Sequence, residues 1–160
     1  MLQQIWGTSE TSNLPIELYY ENTVGRAYAK EPYRGRYGTE YLGEIHLYWG
    51  QGADTIVHEL GHQMTYDSRR QADLVRAFWE YRTHGETPRP LSELLDLGYS
   101  DKEIAYKDRF VHPYMGRIYP GEDVGGELIS MGMQYLYTNP LALITEDPEY
   151  FDFLVTFLWG

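Results

Sequence analysis

Residues 52–64, GADTIVHELGHQM, mark the point where the sequence changes from a strand-like to a helix-like pattern. Apolar side chains recur there at the spacing of one helix face: Ile56, Val57, Leu60 and Met64. The pattern predicts a helix from about residue 53 to about residue 66. Two of the chain's five histidines, His58 and His62, fall within it, with Glu59 between them.

The spacing of these three residues has a direct geometric consequence on a helix. Residues four apart point the same way and lie about 6 Å from each other. His58 and His62 can therefore bind one zinc ion (Zn²⁺) through nitrogens at about 2.0–2.1 Å. Glu59 is rotated by about 100° from His58. Its carboxylate misses the metal but can reach a water molecule beside it, so the motif supplies two ligands and a base.

The competing interpretation is an ordinary amphipathic helix that happens to carry three polar residues. The flanking residues 55–57 and, apart from His62, 60–64 are all uncharged. We therefore expect the helix to be buried, and burying imidazoles and a carboxylate without partners would cost several kcal/mol. A metal ion would supply the partner, which favours the metal site.

A third ligand has to come from elsewhere in the chain, and Glu127 is the strongest candidate. It lies at the start of a helix predicted to begin near Gly126. The other side chains on that helix are largely apolar: Leu128, Met131 and Tyr135. A helix holds a ligand more rigidly than a loop does, and an unpaired carboxylate would be costly to bury there. The alternative is a glutamate that complements the helix dipole, and His112, Glu122 and Asp123 are rival ligands.

Glycines near the candidate ligands predict close packing. Gly61 lies in the middle of the first helix, where glycine costs about 1 kcal/mol relative to alanine. Close approach of another chain segment would explain it, and so would packing against the second helix. The paired glycines Gly125 and Gly126 would leave room for the first helix to approach Glu127.

The regular elements predict an α+β fold with strands before helices. Turn-forming residues separate three β-branched or aromatic stretches in the first fifty residues: IELYY, RAYAK and GEIHLYW. In the last of them Ile45, Leu47 and Trp49 alternate with their neighbours, which predicts a half-buried strand. We expect a single domain over residues 1–160, strand-rich to about residue 50 and helical from 68 to 160.

Capping signals divide the later part of the chain into helices. Ser68 and Gln71 form a pair that opens a second helix, and Ser100 with Glu103 predicts another. The last helix starts at Asp147 as its N-cap. It is apolar nearly all round, so we expect it to be buried in the core or against a partner.

The composition excludes several classes of site and partner. The chain has no cysteine, so disulfides and cysteine-rich structural zinc sites are impossible. Its formal net charge of −11 argues against nucleic acid and anionic membranes as partners. The first residues lack the basic and apolar segments of a secretion signal, and no stretch suits a membrane span.

Four segments carry a resemblance to known metallopeptidases: IVHELGHQM, FVHPYMGRIY, GGELISMGMQYLY and DPEYFDFLVTFLWG. They resemble the gluzincin-type metallopeptidase domain of phage and prophage minor head proteins, which is similar to the catalytic domain of anthrax lethal factor. The resemblance covers roughly residues 40 to 160 and implies a zincin-like fold, with a small mixed sheet packed on the His-Glu-x-x-His helix. The metzincin pattern is excluded, because it needs glycine and histidine where this chain has Thr65 and Ser68.

Carried over by position, the resemblance implies roles for five residues. His58, His62 and Glu127 would be the zinc ligands. Glu59 would be the general base. Tyr119, eight residues before Glu127, would stabilise the oxyanion of the reaction.

Two further positions remain open in this scheme. Tyr114 is the reserve for the role given to Tyr119. Thermolysin-like relatives have an aspartate four residues after the ligand glutamate to orient a histidine, whereas this chain has Met131 there. Ser130 or a backbone carbonyl would have to orient the histidine instead.

The resemblance implies zinc-dependent hydrolysis of a peptide bond in a peptide or protein substrate. The strand from Glu44 to Trp49 would pair, as an edge strand, with an extended substrate. The expected location is the cytoplasm of a bacterial host or a virion. One alternative is a zinc-stabilised structural module of a phage head that cleaves nothing and docks through its last helix. Another is hydrolysis of a non-peptide amide.

Overall fold

The computed structural model describes residues 16–66, 69–95, 98–119 and 125–159. Within them the chain has the predicted α+β architecture. An N-terminal three-stranded mixed sheet packs on the first helix, and a mainly helical part follows. None of the helices that the structure describes is long and apolar enough to cross a membrane.

The first part of the chain forms strands. They are β1 (Ile16–Glu21), β2 (Tyr28–Lys30), β3 (Tyr33–Arg34), β4 (Glu40–Tyr41) and β5 (Gly43–Tyr48). β5 lies in the middle of the three-stranded sheet, with β1 parallel to it on one side and β2 antiparallel on the other. The prediction that the strand from Glu44 to Trp49 is an edge was therefore wrong. A sequence pattern identifies a strand, but it does not say which neighbours the strand takes.

β5 follows the predicted alternation only in part, because His46, between Ile45 and Leu47, is buried as well. Ile45 and Leu47 are buried, and β5 contacts the first helix. Trp49, expected to continue the alternation, is 66% exposed. The strand ends at Tyr48, where the backbone N–H of Gln51 donates to the Tyr48 carbonyl and the chain turns away from the sheet.

Helices make up most of the remaining chain. The α-helices are α1 (Ala53–Tyr66), α2 (Arg69–Thr83), α3 (Leu91–Leu94), α4 (Gly126–Thr138), α5 (Pro140–Glu146) and α6 (Pro148–Trp159). A short 3₁₀ helix covers Pro113–Gly116, and β6 (Arg89–Pro90) pairs with β7 (Ile104–Ala105). α1 has the predicted bounds and α4 begins where predicted, whereas α5 and the β6–β7 pair were not foreseen.

The capping predictions had different outcomes. At α6 the backbone N–H of Tyr150 donates to the side chain of Asp147 (3.1 Å), as expected of an N-cap. At Ser100 the backbone N–H donates to the side chain of Glu103 (3.0 Å), which is the bond of a capping pair. It closes a turn and not a helix, because the chain runs directly into β7. Ser68 lies outside the described residues.

The core surrounds α4, which contacts α1, α2, α5, α6 and the 3₁₀ helix. The first half of α4 is buried without interruption: Glu127, Leu128, Ile129, Ser130, Met131 and Gly132. Side chains in this half are enclosed by neighbours on several sides, so they have little rotational freedom.

α6 is buried on one face only. Tyr150, Leu154 and Phe157 face the core, while Val155 and Trp159 are exposed. The expectation that α6 is buried is met for Tyr150, Leu154 and Phe157. Val155 and Trp159 are exposed to solvent in the isolated chain.

α1 and α4 meet backbone to backbone at Gly61. A Cβ atom on Gly61 would lie 2.4 Å from the Cα atom of Ser130, a distance that real Cβ atoms do not reach. Close approach of another segment is therefore the reason for this glycine, and the segment is α4 and not α2. Of the predicted glycine pair, Gly125 faces α2 instead: a Cβ atom there would lie 2.8 Å from the side chain of Val75.

Candidate metal centre

The close contact between α1 and α4 brings three potential metal ligands together. His58 and His62 lie one turn apart on α1, and Glu127 lies in the first turn of α4. Nε2 of His58 is 3.4 Å from Oε2 of Glu127, and Nε2 of His62 is 3.7 Å from the same oxygen. One ligand atom from each residue lies within 4.8 Å of the other two.

These separations fit the chemistry of a small metal ion. Ligand atoms at about 2.0–2.1 Å from a tetrahedral zinc ion are about 3.3–3.4 Å from one another. The two measured histidine–glutamate distances are close to that value. Two imidazole nitrogens and one carboxylate oxygen also form a donor set typical of zinc sites with an open position. The cluster could therefore hold a metal ion, consistent with a zincin-like site.

The charge of Glu127 depends on the two histidines. Its side chain is 1% exposed. Burial acts to raise its pKa, but the hydrogen bond with His58 and the charges of His62 and His58 outweigh burial and lower the pKa to about 2. The carboxylate is thus ionised at neutral pH, although it is enclosed by protein. The helix dipole of α4 adds to this, since Glu127 is in the first turn.

The histidines respond to this environment in opposite ways. Burial lowers the pKa of His62 to about 4, so the ring is neutral at pH 7 and offers a lone pair. Burial also acts to lower the pKa of His58, but its hydrogen bond and charge interaction with Glu127 outweigh burial and raise it. His58 is therefore the histidine most tightly coupled to the carboxylate.

Glu59 lies in α1 directly beside these groups and is buried (5% exposed). Burial and the charge of Glu127 raise its pKa to about 7, while the charges of His58 and Arg26 oppose the rise. A carboxyl group with a pKa near the working pH can both accept and release a proton. The position of Glu59 is thus suited to acid–base chemistry next to the cluster.

Tyr119 is in direct contact with the cluster, and Tyr114 is one step further away. The Tyr119 hydroxyl donates to Oε1 of Glu127. Burial and the charge of Glu127 raise the pKa of Tyr119, so the phenol keeps its proton. The Tyr114 hydroxyl lies 3.4 Å from that of Tyr119. Of the two candidate tyrosines, Tyr119 is the one that contacts a predicted ligand.

Tyr114 has a different set of partners. Arg26 and Arg117 both donate to its hydroxyl oxygen, and the residue is 5% exposed. Arg117 also pairs with Glu103 at 2.7 Å, and Arg26 lies 3.8 Å from the same carboxylate. These contacts join the loop before β2 to the segment after the 3₁₀ helix. Tyr114 is therefore part of the framework beside the cluster.

The groups that support the ligands differ in part from those expected, since the backbone of Gly126 accepts a hydrogen bond from His62, as one of the two alternatives had it. Ser130, proposed to orient a histidine, donates instead to Oε2 of Glu127 (3.0 Å). Nδ1 of His58 lies 3.1 Å from Oε1 of Gln134, a residue that the sequence analysis missed. Gln134 is seven residues after Glu127, which is two helical turns on the same face of α4. That spacing is the signal that could have identified it.

The rival ligands and the remaining histidines lie elsewhere or outside the described residues. Nδ1 of His112 accepts the backbone N–H of Tyr114 at the start of the 3₁₀ helix (3.2 Å), so it caps that helix. His46 is stacked between two tyrosine rings of the sheet. Glu122 and Asp123 are not among the residues that the structure describes.

No family model, no curated protein and no solved structure matches this chain. The grounds for a function are thus the geometry of the centre and the sequence motifs that form it. What the structure supports directly is a candidate metal site of His58, His62 and Glu127 on two packed helices.

Proposed function

We propose that this chain is a zinc-dependent metallopeptidase that hydrolyses peptide bonds. The observation that carries the proposal is the position of Glu59, which is buried directly after His58 in α1 and interacts through its charge with both His58 and Glu127. A site that only holds a metal needs the ligands but has no need of a fourth, unligated carboxyl group next to them. A gluzincin-type enzyme needs that group as its base.

In this proposal His58, His62 and Glu127 hold the zinc ion. Zinc, when bound, supplies Lewis-acid polarisation of the substrate carbonyl and lowers the pKa of water toward about 7. Ser130 and Tyr119 each hold one oxygen of Glu127. They therefore fix the orientation of the carboxylate that the metal requires.

Glu59 acts as the general base and then as the general acid. Its carboxylate accepts a proton from the attacking water and later delivers it to the leaving amine. The Tyr119 hydroxyl stays protonated, and its single O–H donates to Glu127 in the substrate-free site. When the tetrahedral carbon forms, this O–H would turn from Glu127 to the oxyanion and donate to it.

The substrate segment pairs with β2 in this scheme, and not with β5. β5 is paired on both sides, whereas β2 has no second partner strand among the described residues. β2 also contacts α1, the helix that carries the histidines. In a strand pair, alternate residues direct their backbone N–H and C=O groups away from the partner, so an outer strand can bind an extended peptide.

The setting that we propose is a phage or prophage protein, on the strength of the four sequence segments that resemble minor head proteins. The same resemblance supports the cytoplasm of the bacterial host or the virion as its location. The exposed apolar residues of α6, Val155 and Trp159, would then be available to a structural partner of the particle.

Metal content and hydrolysis test the proposal together. Protein purified without a histidine tag should contain about one zinc ion per chain, or take it up when zinc is added. A digest of a broad peptide library should show cleavage that a chelator abolishes. Glu59→Gln should retain zinc and lose cleavage, because the amide cannot accept the proton.

A matched substitution separates the role of Glu59 from a general effect of lost charge. Glu80 is an exposed glutamate in the last turn of α2, and Glu80→Gln should leave cleavage unchanged. Wild-type cleavage by Glu59→Gln would show that Glu59 is not the base. Zinc binding without cleavage of any library peptide would favour the zinc-stabilised structural module.

A further inference from the structure

Gln134 connects the candidate metal centre to the start of α1. Its Oε1 atom lies 3.1 Å from Nδ1 of His58, and its Nε2 atom lies 3.4 Å from Oδ2 of Asp54. Asp54 lies one helical turn before His58 on α1. Both partners of Gln134 therefore lie on the same side of that helix. The three residues form a continuous path from a carboxylate to a candidate metal ligand.

The carboxylate of Asp54 determines which way the amide of Gln134 points. An ionised carboxylate accepts hydrogen bonds and donates none. The amide NH₂ group must therefore face Asp54, which leaves the amide oxygen facing His58. The opposite orientation would place two acceptors against each other at Asp54.

The amide oxygen in turn determines which ring nitrogen of His58 carries the proton. An oxygen acceptor beside Nδ1 requires a proton on Nδ1, because the neutral imidazole has one donor and one acceptor nitrogen. In the metal-free site Nε2 donates to Glu127; a bound metal ion would displace that proton, so Nε2 would offer its lone pair while Nδ1 keeps its proton. Nε2 is the nitrogen that lies 3.4 Å from Glu127 and converges with it on the candidate metal position.

We propose that Asp54 and Gln134 are positioning residues that fix His58 in the tautomer able to bind the metal. Asp54 orients the amide of Gln134, and the amide oxygen accepts the Nδ1–H of His58. The inference rests on the proposed function, since it assigns a purpose to the orientation of a zinc ligand. It gives this chain a substitute for the aspartate that thermolysin-like enzymes have at the position of Met131.

Zinc affinity is the first measurement, made by competition with a chelator of known affinity. Gln134→Met keeps a side chain of similar length and good helix propensity, but it removes both hydrogen bonds. It should weaken zinc binding by roughly 10- to 100-fold, as is typical when the partner of a ligating histidine is lost. Thr138→Ala is the matched control: it removes a side-chain bond one turn later on α4 that does not reach His58, and it should leave affinity unchanged.

A double-mutant cycle tests whether Asp54 acts through Gln134. Asp54→Ala alone should weaken zinc binding less than Gln134→Met does. In the Gln134→Met background, Asp54→Ala should have little further effect, because the amide that it orients is already gone. An equal loss of zinc affinity in both backgrounds would mean that Asp54 acts only through its charge. It would overturn the proposal that Asp54 acts by orienting Gln134.

A spectroscopic signal separates orientation from a merely structural role. In the zinc-loaded wild type, the Nδ1–H proton of His58 should be visible by NMR and slow to exchange with water. In zinc-loaded Gln134→Met it should exchange rapidly, while the thermal midpoint of the metal-free protein stays close to that of the wild type. Unchanged zinc affinity together with an unchanged His58 signal would overturn this inference alone. Absence of zinc binding by the wild type would overturn the proposed function as well.

Discussion

The α1–α4 helix pair and the outer strand β1 differ most in how their side chains are enclosed. Residues 127–132 of α4 are all buried, whereas all six residues of β1 are exposed. The register of the sheet places Leu18 beside Ile45 on β5, yet Leu18 is 59% exposed and Ile45 is 1% exposed. α1 contacts β5 and β2, so the helix layer covers only part of the sheet.

This difference indicates which contacts define the metal centre. The candidate ligands lie on α1 and α4, and the distance between these helices is set by their own direct contact at Gly61. The sheet supports α1 from the other side without contributing a candidate ligand. Substitutions between the two helices should therefore alter metal binding, and substitutions on β1 should not.

The largest effect that we expect on the helix pair comes from Glu127→Ala. Zinc affinity should fall by more than the roughly 10- to 100-fold that is typical of losing a residue that supports a ligand. Because metal binding is linked to folding, the thermal midpoint in the presence of zinc should fall too. Chelator competition and thermal unfolding measure the two quantities.

Glu149 provides the control for this substitution. It occupies the same position in the first turn of α6 as Glu127 does in α4, but it is exposed. Glu149→Ala should leave zinc affinity unchanged. If Glu127→Ala had an equally small effect, Glu127 would merely complement the helix dipole and would not be a ligand.

Tyr119→Phe should lower turnover by about 10- to 1000-fold at saturating zinc, the range for loss of one oxyanion donor. Tyr114→Phe should change turnover little, because the Tyr114 hydroxyl is occupied by two arginines. It should instead cost about 1–3 kcal/mol of stability, since two hydrogen bonds between a buried hydroxyl and charged groups are lost. Turnover and denaturant unfolding of both variants decide the point, and the reverse pattern would transfer the catalytic role to Tyr114.

Gly61→Ala should disturb the helix contact directly. The added Cβ atom would meet the main chain of Ser130 at 2.4 Å, so the helices must separate, at a cost of about 1–3 kcal/mol for overpacking. The gain of about 1 kcal/mol in helix propensity offsets only part of this. Denaturant unfolding should show lower stability, and zinc affinity should fall as the ligands move apart.

Gly98 is the matched position for this test. A Cβ atom there has no neighbour within 4 Å, so Gly98→Ala should be close to neutral. Gain of stability and full zinc affinity in Gly61→Ala would show that the helix contact does not determine the geometry of the centre.

The smallest effects are expected in the sheet, where the same substitution, isoleucine to valine, can be made at a buried and at an exposed position. Ile45→Val, in buried β5, should lower stability by about 0.5–1.5 kcal/mol. Ile16→Val, on exposed β1, should change it by no more than about 0.5 kcal/mol. Neither should alter zinc affinity. A large loss from Ile16→Val would mean that β1 is covered in solution, and the contrast with the helix pair would fail.

Local signals in the sequence predicted the elements that depend on local periodicity. α1 follows from the spacing of its apolar residues, and Asp147 caps α6 through contacts within four residues. The position of β5 within the sheet could not be predicted, because strand pairing joins segments that are distant in the chain. Ser100 and Glu103 show the same limit, since a capping pair forms there and tertiary pairing of β7 replaces the helix.

In the candidate site, too, local spacing could be predicted from the sequence and contacts between distant segments could not. His58 and His62 are related by a helical period, and Glu127 is conspicuous as an acid at the start of an apolar helix, so all three could be proposed from the sequence. The spacing from Glu127 places Gln134 on the same face of α4, but the sequence alone does not say which of the two histidines it contacts. The role of Gly61 was open for the same reason, because two different helices could have been its partner.

The contact at Gly61 also has a consequence for hydrogen exchange in the native protein. Where two helices touch main chain to main chain, water cannot reach the amide groups at the crossing unless the helices come apart. The amide of Ser130, whose nitrogen faces Gly61, should therefore exchange only through the largest unfolding events of the chain. The candidate metal centre would then lie in the last region to open as the protein unfolds.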